Sequence, residues 1–256
     1  MAKPWKWRKE VLSNTTMLAL AGKKEEALSY LRQSVEAGWL NADHMKQDRD
    51  LLALHEEEEW KEIIRRVEER KQARDAQFDQ KLKKQLESIY VRDQTLRRLY
   101  SDAEEKFGKG SEEMSYFWSV VSREDSINEA EVIDIIREHG WVGRSQVGGK
   151  ANTALWLVIQ HAPLEVQEKY LPLLEASVKE GESTGSHLAL LQDRINMRND
   201  EPQIYGSQVI TDQETGEFKV YEIKNPAQVN ERRKEVGLGP IEEYLKRWNI
   251  EWKVED

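Results

Sequence analysis

Cysteine is absent from the 256 residues, which excludes disulfides, thiolate metal sites and a cysteine nucleophile. No apolar stretch approaches the roughly 20 residues of a membrane-spanning helix, and the N-terminus has no hydrophobic core of an export signal. Met1-Ala2 running straight into Lys3-Pro4-Trp5 is also how a chain starts once an export signal has been replaced, so cytoplasm and periplasm both stay open. Positive charge is in deficit. Lys+Arg 39 against Asp+Glu 48 leaves a net charge of -9, which argues against a nucleic-acid footprint. Basic runs such as Arg97-Arg98 and Arg232-Arg233-Lys234 are embedded among acids and read as helix decoration.

Several reactive motifs are missing as well. There is no His-x-x-x-His, no Glu-x-x-His and no carboxylate-rich calcium loop, so neither a dedicated metal site nor a cofactor is expected. No Gly-x-Ser-x-Gly elbow occurs. The stretch Gly143-Arg144-Ser145-Gln146-Val147-Gly148-Gly149-Lys150-Ala151 comes near a phosphate-binding P-loop. An extra glycine offsets the lysine, alanine replaces the hydroxyl, and a helix rather than a strand precedes it. What is left is a helix N-terminus at Gly149 able to hold a small anion.

What the chain does have is helix signal, with 34% charged and 38% hydrophobic residues. Trp7, Val11, Leu12 and Leu18 form one stripe, Gly22 breaks it, and Ala27, Leu28, Leu31 and Val35 face inward from a second helix. The phrase Leu18-Ala19-Leu20-Ala21-Gly22-Lys23-Lys24-Glu25-Glu26-Ala27-Leu28 resembles a tetratricopeptide repeat, with Gly22 in the turn and Ala27 at the helix crossing. That resemblance implies a protein partner for the hairpin; packing on the rest of the chain is the plainer alternative. Trp60, Ile63, Ile64 and Val67 then mark a following helix. From Val67 to Phe78 there is no large apolar residue, which predicts a solvated connecting helix and a domain boundary.

Beyond it, Phe78, Leu82, Leu86, Ile89 and Tyr90 open a helix, and Gly108-Lys109-Gly110 marks a loop. Two more helices are expected around residues 117–121 and 127–138, the latter capped by Ser126 and closed near Gly140. Residues 151–161 form the most apolar helix, and Pro163 ends it. Pro172 kinks or restarts the next one, and residues 187–195 form another. Residues 203–210 and 218–223 read as a β-hairpin, and two helices finish the chain.

Polar residues stand where this pattern calls for core. Gln160-His161 ends the apolar run 154–159, and Asp193-Arg194 ends the run 188–191. His161 lies four and three positions after Leu157 and Val158, so it turns inward, as a general base, a ligand or a satisfied core group. Arg194 and Asp193 turn inward likewise. Arg194 either receives an anionic substrate or pairs with Asp93 or Asp125. In residues 203–208, Gln203, Tyr205 and Ser207 alternate onto one strand face, and a bulge at Gly206 would swing Gln208 to join them. Tyr205 would be an acid or donor and the two glutamines would orient a substrate. Asp93, Asp125 and Asp193 are the carboxylates nearest these segments and the candidates for a hydrolytic pair.

The phrases Asp93-Gln94-x-x-Arg97, Asp125-x-x-Asn128, Gly140-Trp141, Ser145-x-x-Gly148, Gln160-His161, Asp193-Arg194, Gln203-x-Tyr205-Gly206-Ser207-Gln208 and Arg232-Arg233 before Gly237-Leu238 occur in that order. Together they resemble an uncharacterised family of bacterial domains that often follows tetratricopeptide repeats, with no assigned activity. The resemblance implies one domain from about Leu82 to Leu245 and brings Asp93 and Arg97 into the substrate-binding set with Gln160, Arg194, Gln203 and Gln208.

The expected fold is mainly α: a tetratricopeptide-like helical hairpin over residues 1–70, a charged connecting helix over 71–80, and a helical domain over 81–256 carrying a β-hairpin near 203–223. The expected function is an internal polar pocket that binds or hydrolyses a small polar or anionic substrate, with His161, Asp193 and Tyr205 as its reactive groups. A non-catalytic protein-interaction module, with the polar set as scaffolding, is the alternative. Enzyme and binding module stand level, and neither a nucleic acid nor a membrane is among the expected partners.

Overall fold

The computed structural model describes residues 5–212 and 215–253, with side chains from residue 13 onward. The side chains of Trp7, Val11 and Leu12, expected on the first inward stripe, lie outside that description, as do Gln213 and Glu214 of the hairpin turn. The architecture is mainly α with one β-hairpin. By contacts the chain divides into two compact units, Met1–Gln77 and Phe78–Asp256.

In the first unit, α1 (Trp5–Leu20) and α2 (Lys24–Glu36) form an antiparallel hairpin about Gly22, whose φ of 74° suits a residue without a Cβ. The short α3 (Ala42–Gln47) follows, with the Asn41 side chain accepting from the His44 amide at 3.1 Å. A 3-10 turn then leads to α4 (Glu58–Asp75). Ala27, Leu28, Leu31, Met45, Leu51, Leu54, Trp60, Ile63 and Val67 close over one core. Past Val67 the helix α4 buries nothing more and ends at Asp75. No helix covers residues 76–79, so the continuous connecting helix expected over 71–80 is replaced by the end of α4 and a short break.

The second unit is built around two long helices, α5 (Gln80–Phe107) and α6 (Glu112–His139). Asp79 caps the first, accepting from the Leu82 amide at 2.9 Å, and Ser111 caps the second, accepting from the Met114 amide at 3.1 Å. The two helices expected at 117–121 and 127–138 are thus one. Ser126 does not cap; its hydroxyl donates to the Ser122 carbonyl at 3.0 Å, the way a serine sits inside a helix. A four-residue α7 (Arg144–Val147) and Gly148, at φ 82°, lead into α8 (Gly149–His161).

Every residue of α8 from Ala154 to Gln160 is buried, as expected of a helix apolar on all sides. It packs against α5, α6, α7, α9 (Leu164–Lys179) and α10 (Gly185–Arg198). Leu86, Ile89, Leu155 and Ile159 are fully enclosed there, each contributing about 1.5–3 kcal/mol of burial. Pro172 lies inside α9 without restarting it; the carbonyl that loses its helical donor belongs to Glu168, an exposed residue.

The expected hairpin is shorter than its sequence pattern. Strands β1 (Val209–Thr211) and β2 (Phe218–Val220) pair in antiparallel register Val209↔Val220, Ile210↔Lys219, Thr211↔Phe218. Residues 203–208 are a loop, meeting the segment after β2 through an isolated Gln203↔Ile223 bridge. The helices α11 (Val229–Glu235) and α12 (Ile241–Leu245) finish the unit over a small core of Ile223, Val229, Ile241 and Leu245.

Candidate functional site

The inward stripe of α5 runs Leu82, Leu86, Ile89, Asp93, at spacings of four, three and four. A carboxylate therefore stands at a core position, 1% exposed. On α6 the buried stripe Val121, Asn128, Val132 carries Asp125 one turn before Asn128. His161 is the last residue of α8. The three helices bring these groups together, and the polar atoms pair off closely.

His161 Nδ1 lies 2.9 Å from Asp93 Oδ1, and Gln94 Nε2 donates to Asp93 Oδ2 at 2.7 Å. Arg97 Nη1 donates to the Asp93 carbonyl at 2.9 Å and stands 3.4 Å from Asp93 Oδ1. Its Nη2 donates to both Asp125 oxygens, at 2.9 and 2.8 Å. Burial alone would raise the Asp93 carboxyl, but the His161 hydrogen bond and charge, with Gln94 and Arg97, outweigh it and hold the group below its usual range. Asp93 is thus an anion aimed at one ring nitrogen of His161. The other nitrogen, Nε2, makes no hydrogen bond among the described residues. Oriented this way, an imidazole can take or give a proton at Nε2.

The donor atoms of Asp93, Asp125 and His161 lie within 4.8 Å of one another, a set a metal ion can use. No sequence motif announces it, because the three come from three helices. Arg97 already sets its guanidinium on Asp125, so an ion there would have to displace it.

Arg194 approaches from α10. Its Nη1 donates to the Gln160 carbonyl at 3.1 Å, beside His161, and helps close the C-terminus of α8. Gln167 and Arg198 do the same work, donating to the Gln160 and Ala162 carbonyls. The alternative pairing of Arg194 with Asp93 or Asp125 does not occur, since both carboxylates are taken by Arg97 and His161. Among the described residues no carboxylate pairs with Arg194, and its Nε is buried without a partner. Burial, then the charges of Arg198 and Arg97, lower its pKa. A half-buried guanidinium among like charges is suited to receiving an anion.

The other expected site residues form a scaffold. Asp193, 0% exposed, accepts from the backbone amides of Ile204, Tyr205 and Ser207 at 2.7–3.2 Å. Burial raises its carboxyl against the pull of those amides. The carbonyls of the same loop go to cations and a phenol: Arg232 Nε donates to Ile204 O at 2.8 Å, Arg233 Nη1 to Tyr205 O at 2.7 Å, and the Tyr244 hydroxyl to Ser207 O at 2.8 Å. Gln203 spends its amide on the Gln208 and Tyr221 carbonyls and the Gln208 amide. Gln208 Nε2 donates to Ser207 Oγ at 3.0 Å.

Four of the sequence expectations therefore need correction. The alternation of Gln203, Tyr205 and Ser207 on a strand face fails, because the amides turn inward onto Asp193 and Gly206 sits at φ 66°. A Cβ at Gly206 would meet Ile241 Cδ1 at 2.5 Å, so the glycine allows close packing rather than a bulge that presents Gln208. Asp193 has its oxygens occupied by the loop, and Tyr205 is tied through its backbone to Asp193 and Arg233, neither of them in the His161 cluster, while burial raises its hydroxyl.

Sequence reasoning passed over Trp156, Gln167, His187 and Tyr244. For Trp156 a signal existed: it lies midway between Asn152 and Gln160 at four-residue spacing, on a polar edge of an otherwise apolar helix.

No curated protein and no solved structure matches the chain. A family model does match, over residues 80–253, and that span holds both the His161 cluster and the Asp193 loop. The chain belongs to the family of unknown function DUF6624.

Proposed function

We propose that the second unit carries a site for a small anionic substrate, in which the Asp93–His161 pair moves a proton and Arg194 holds the charge. The observation that carries this is the 2.9 Å contact between buried Asp93 and His161 Nδ1, which leaves Nε2 uncommitted beside an arginine that has no carboxylate of its own. Hydrolysis suits such a pair. Nε2 takes a proton from the attacking water and returns it to the departing oxygen, while Asp93 stabilises the imidazolium between the two steps. Arg97 and Asp125 hold Asp93 in place. Asp193, Gln203 and Gln208 act as scaffolding for the loop that closes this end of the unit.

Titration with inorganic phosphate, followed by the His161 ring protons, tests the binding half. The expected result is a saturable shift that Arg194→Gln abolishes. The chemical half is read with p-nitrophenyl phosphate, whose turnover is expected to fall by about 100-fold or more in His161→Gln. Phosphate binding of equal strength in Arg194→Gln and the parent chain would reject the assignment.

A second reading, a protein partner bound by the first unit, is favoured by a groove of about 190 Å³ between α2 and α4. Arg32, Arg66, Glu36, Glu59 and Glu62 border it over a floor of Val35 and Ile63. Its mixed charge suits a polar peptide.

A further inference from the structure

The seam between α8 and α10 continues away from Arg194. Asn152, Trp156 and Gln160 follow one another on α8 at four-residue spacing, and each meets the segment from Ser183 to Arg194 in the same order. Asn152 Nδ2 donates to Ser183 Oγ at 3.0 Å. The Trp156 ring stacks on His187, with centroids 4.0 Å apart and planes 2° from parallel. The Gln160 carbonyl accepts from Arg194. The two helices thus run in the same direction along this seam.

The first of these contacts is polar and satisfied. The rest of the seam leaves polar atoms over. Trp156 Nε1, an obligate donor on a side chain 92% buried, has no partner; neither has His187 Nδ1, nor Arg194 Nε. Gln160 makes no hydrogen bond with its side-chain amide among the described residues, and that amide, unlike the three atoms just named, is not fully enclosed. Buried polar groups are ordinarily paired, and a single orphan needs no more than a water molecule. Three such atoms along one seam of two helices, beside a free Gln160 amide and a guanidinium with no carboxylate of its own, ask chiefly for acceptors. The stack also fixes the far end of this seam. Burial lowers the His187 pKa to about 4, so the imidazole is neutral at ordinary pH and adds no charge there. The seam therefore has a cationic end where Arg194 meets the Gln160 carbonyl and a neutral, donating end at Trp156, four residues or about 6 Å earlier along α8.

We infer that the substrate is an elongated organic anion whose charged head lies at Arg194 and whose neutral tail carries carbonyl or hydroxyl oxygens to the Trp156–His187 stack. This rests on the site proposed above and adds to it a tail subsite, with Trp156 and Gln160 as its specificity-determining residues.

Two probes separate head from tail: inorganic phosphate, which supplies the head alone, and glucose 6-phosphate, which adds a chain of hydroxyls. The reporters are the Arg194 Nε–H and Trp156 indole N–H signals in nitrogen-15 spectra of the full chain, the indole assigned by Trp156→Phe. Both probes are expected to move the Arg194 signal, and only glucose 6-phosphate the indole. Trp156→Phe keeps the ring stack and removes the donor. It is expected to weaken glucose 6-phosphate about tenfold and to leave phosphate unchanged. If phosphate moves Arg194 while glucose 6-phosphate neither moves the indole nor binds more tightly than phosphate, the tail subsite is overturned and the orphan atoms belong to buried water. If neither probe moves Arg194, the underlying anion site fails, and the subsite with it.

Discussion

Asp93 and Asp193 are the same residue type, each near-completely buried, and they do opposite work. Asp193 is satisfied by the backbone amides of Ile204, Tyr205 and Ser207, so its loss leaves three donors, one buried and two half-buried, without this acceptor. Asp193→Ala is expected to destabilise the chain by roughly 3–5 kcal/mol in urea unfolding. His161→Ala, at a side chain that is 15% exposed, is expected to cost about 1–2 kcal/mol. Equal losses would place His161 with the scaffold. His187 supplies a pH signature. Burial lowers its pKa from 6.5 to about 4, so the unfolded chain takes up the proton first as pH falls. Its contribution to stability is complete above about pH 6.5 and is lost progressively towards pH 4, on the order of 3 kcal/mol in all. Urea unfolding at pH 7 and pH 4.5 checks this: His187→Phe, which keeps an aromatic ring on Trp156, should lose less stability than the parent chain on acidification. Parallel losses would mean that the imidazole is solvated.

At the level of elements, the misreading of α6 is instructive. Ser126 before an apolar periodicity has the look of a cap, yet a cap needs free amides ahead of it, and those amides already donate within a helix that began at Glu112. The real cap is Ser111. Ser111→Ala is expected to cost about 1 kcal/mol, and Ser126→Ala nothing or a slight gain, compared by thermal unfolding. A cost at Ser126 equal to that at Ser111 would contradict the single long helix. The hairpin failed differently. Residues 203–208 alternate correctly for a strand, but three of their amides are drawn onto one carboxylate from α10, and a distant anion outbid the local pattern.

Across the whole molecule, each unit encloses its own core, one around Leu31, Met45 and Trp60 and the other around Leu86, Leu155 and Ile159. Each is large enough to unfold cooperatively by itself. Calorimetry is therefore expected to resolve two transitions, or one whose calorimetric enthalpy exceeds the van't Hoff value; a single two-state transition would join the units energetically. The net charge of -9 bears on function at this scale. An anionic ligand meets a repulsive average field, so attraction has to come from the arginines clustered at the C-terminus of α8, and added salt should weaken binding.

Local chemistry was enough to identify most of the helices, the burial of α8, the two polar pairs that turn inward at residues 160–161 and 193–194, and the presence of a β-hairpin, because periodicity, caps and glycine conformations act over one or two turns of chain. Even Asp93 was readable, as the next step of the stripe Leu82, Leu86, Ile89. Which carboxylate met which cation was not. Asp93, Asp125, His161 and Arg194 sit on four helices, and pairing energies fall so steeply with distance that a few ångströms of packing settle each partner. Packing placed His161 against Asp93, gave Asp125 to Arg97, turned Asp193 away onto a loop, and left Arg194 without an acid.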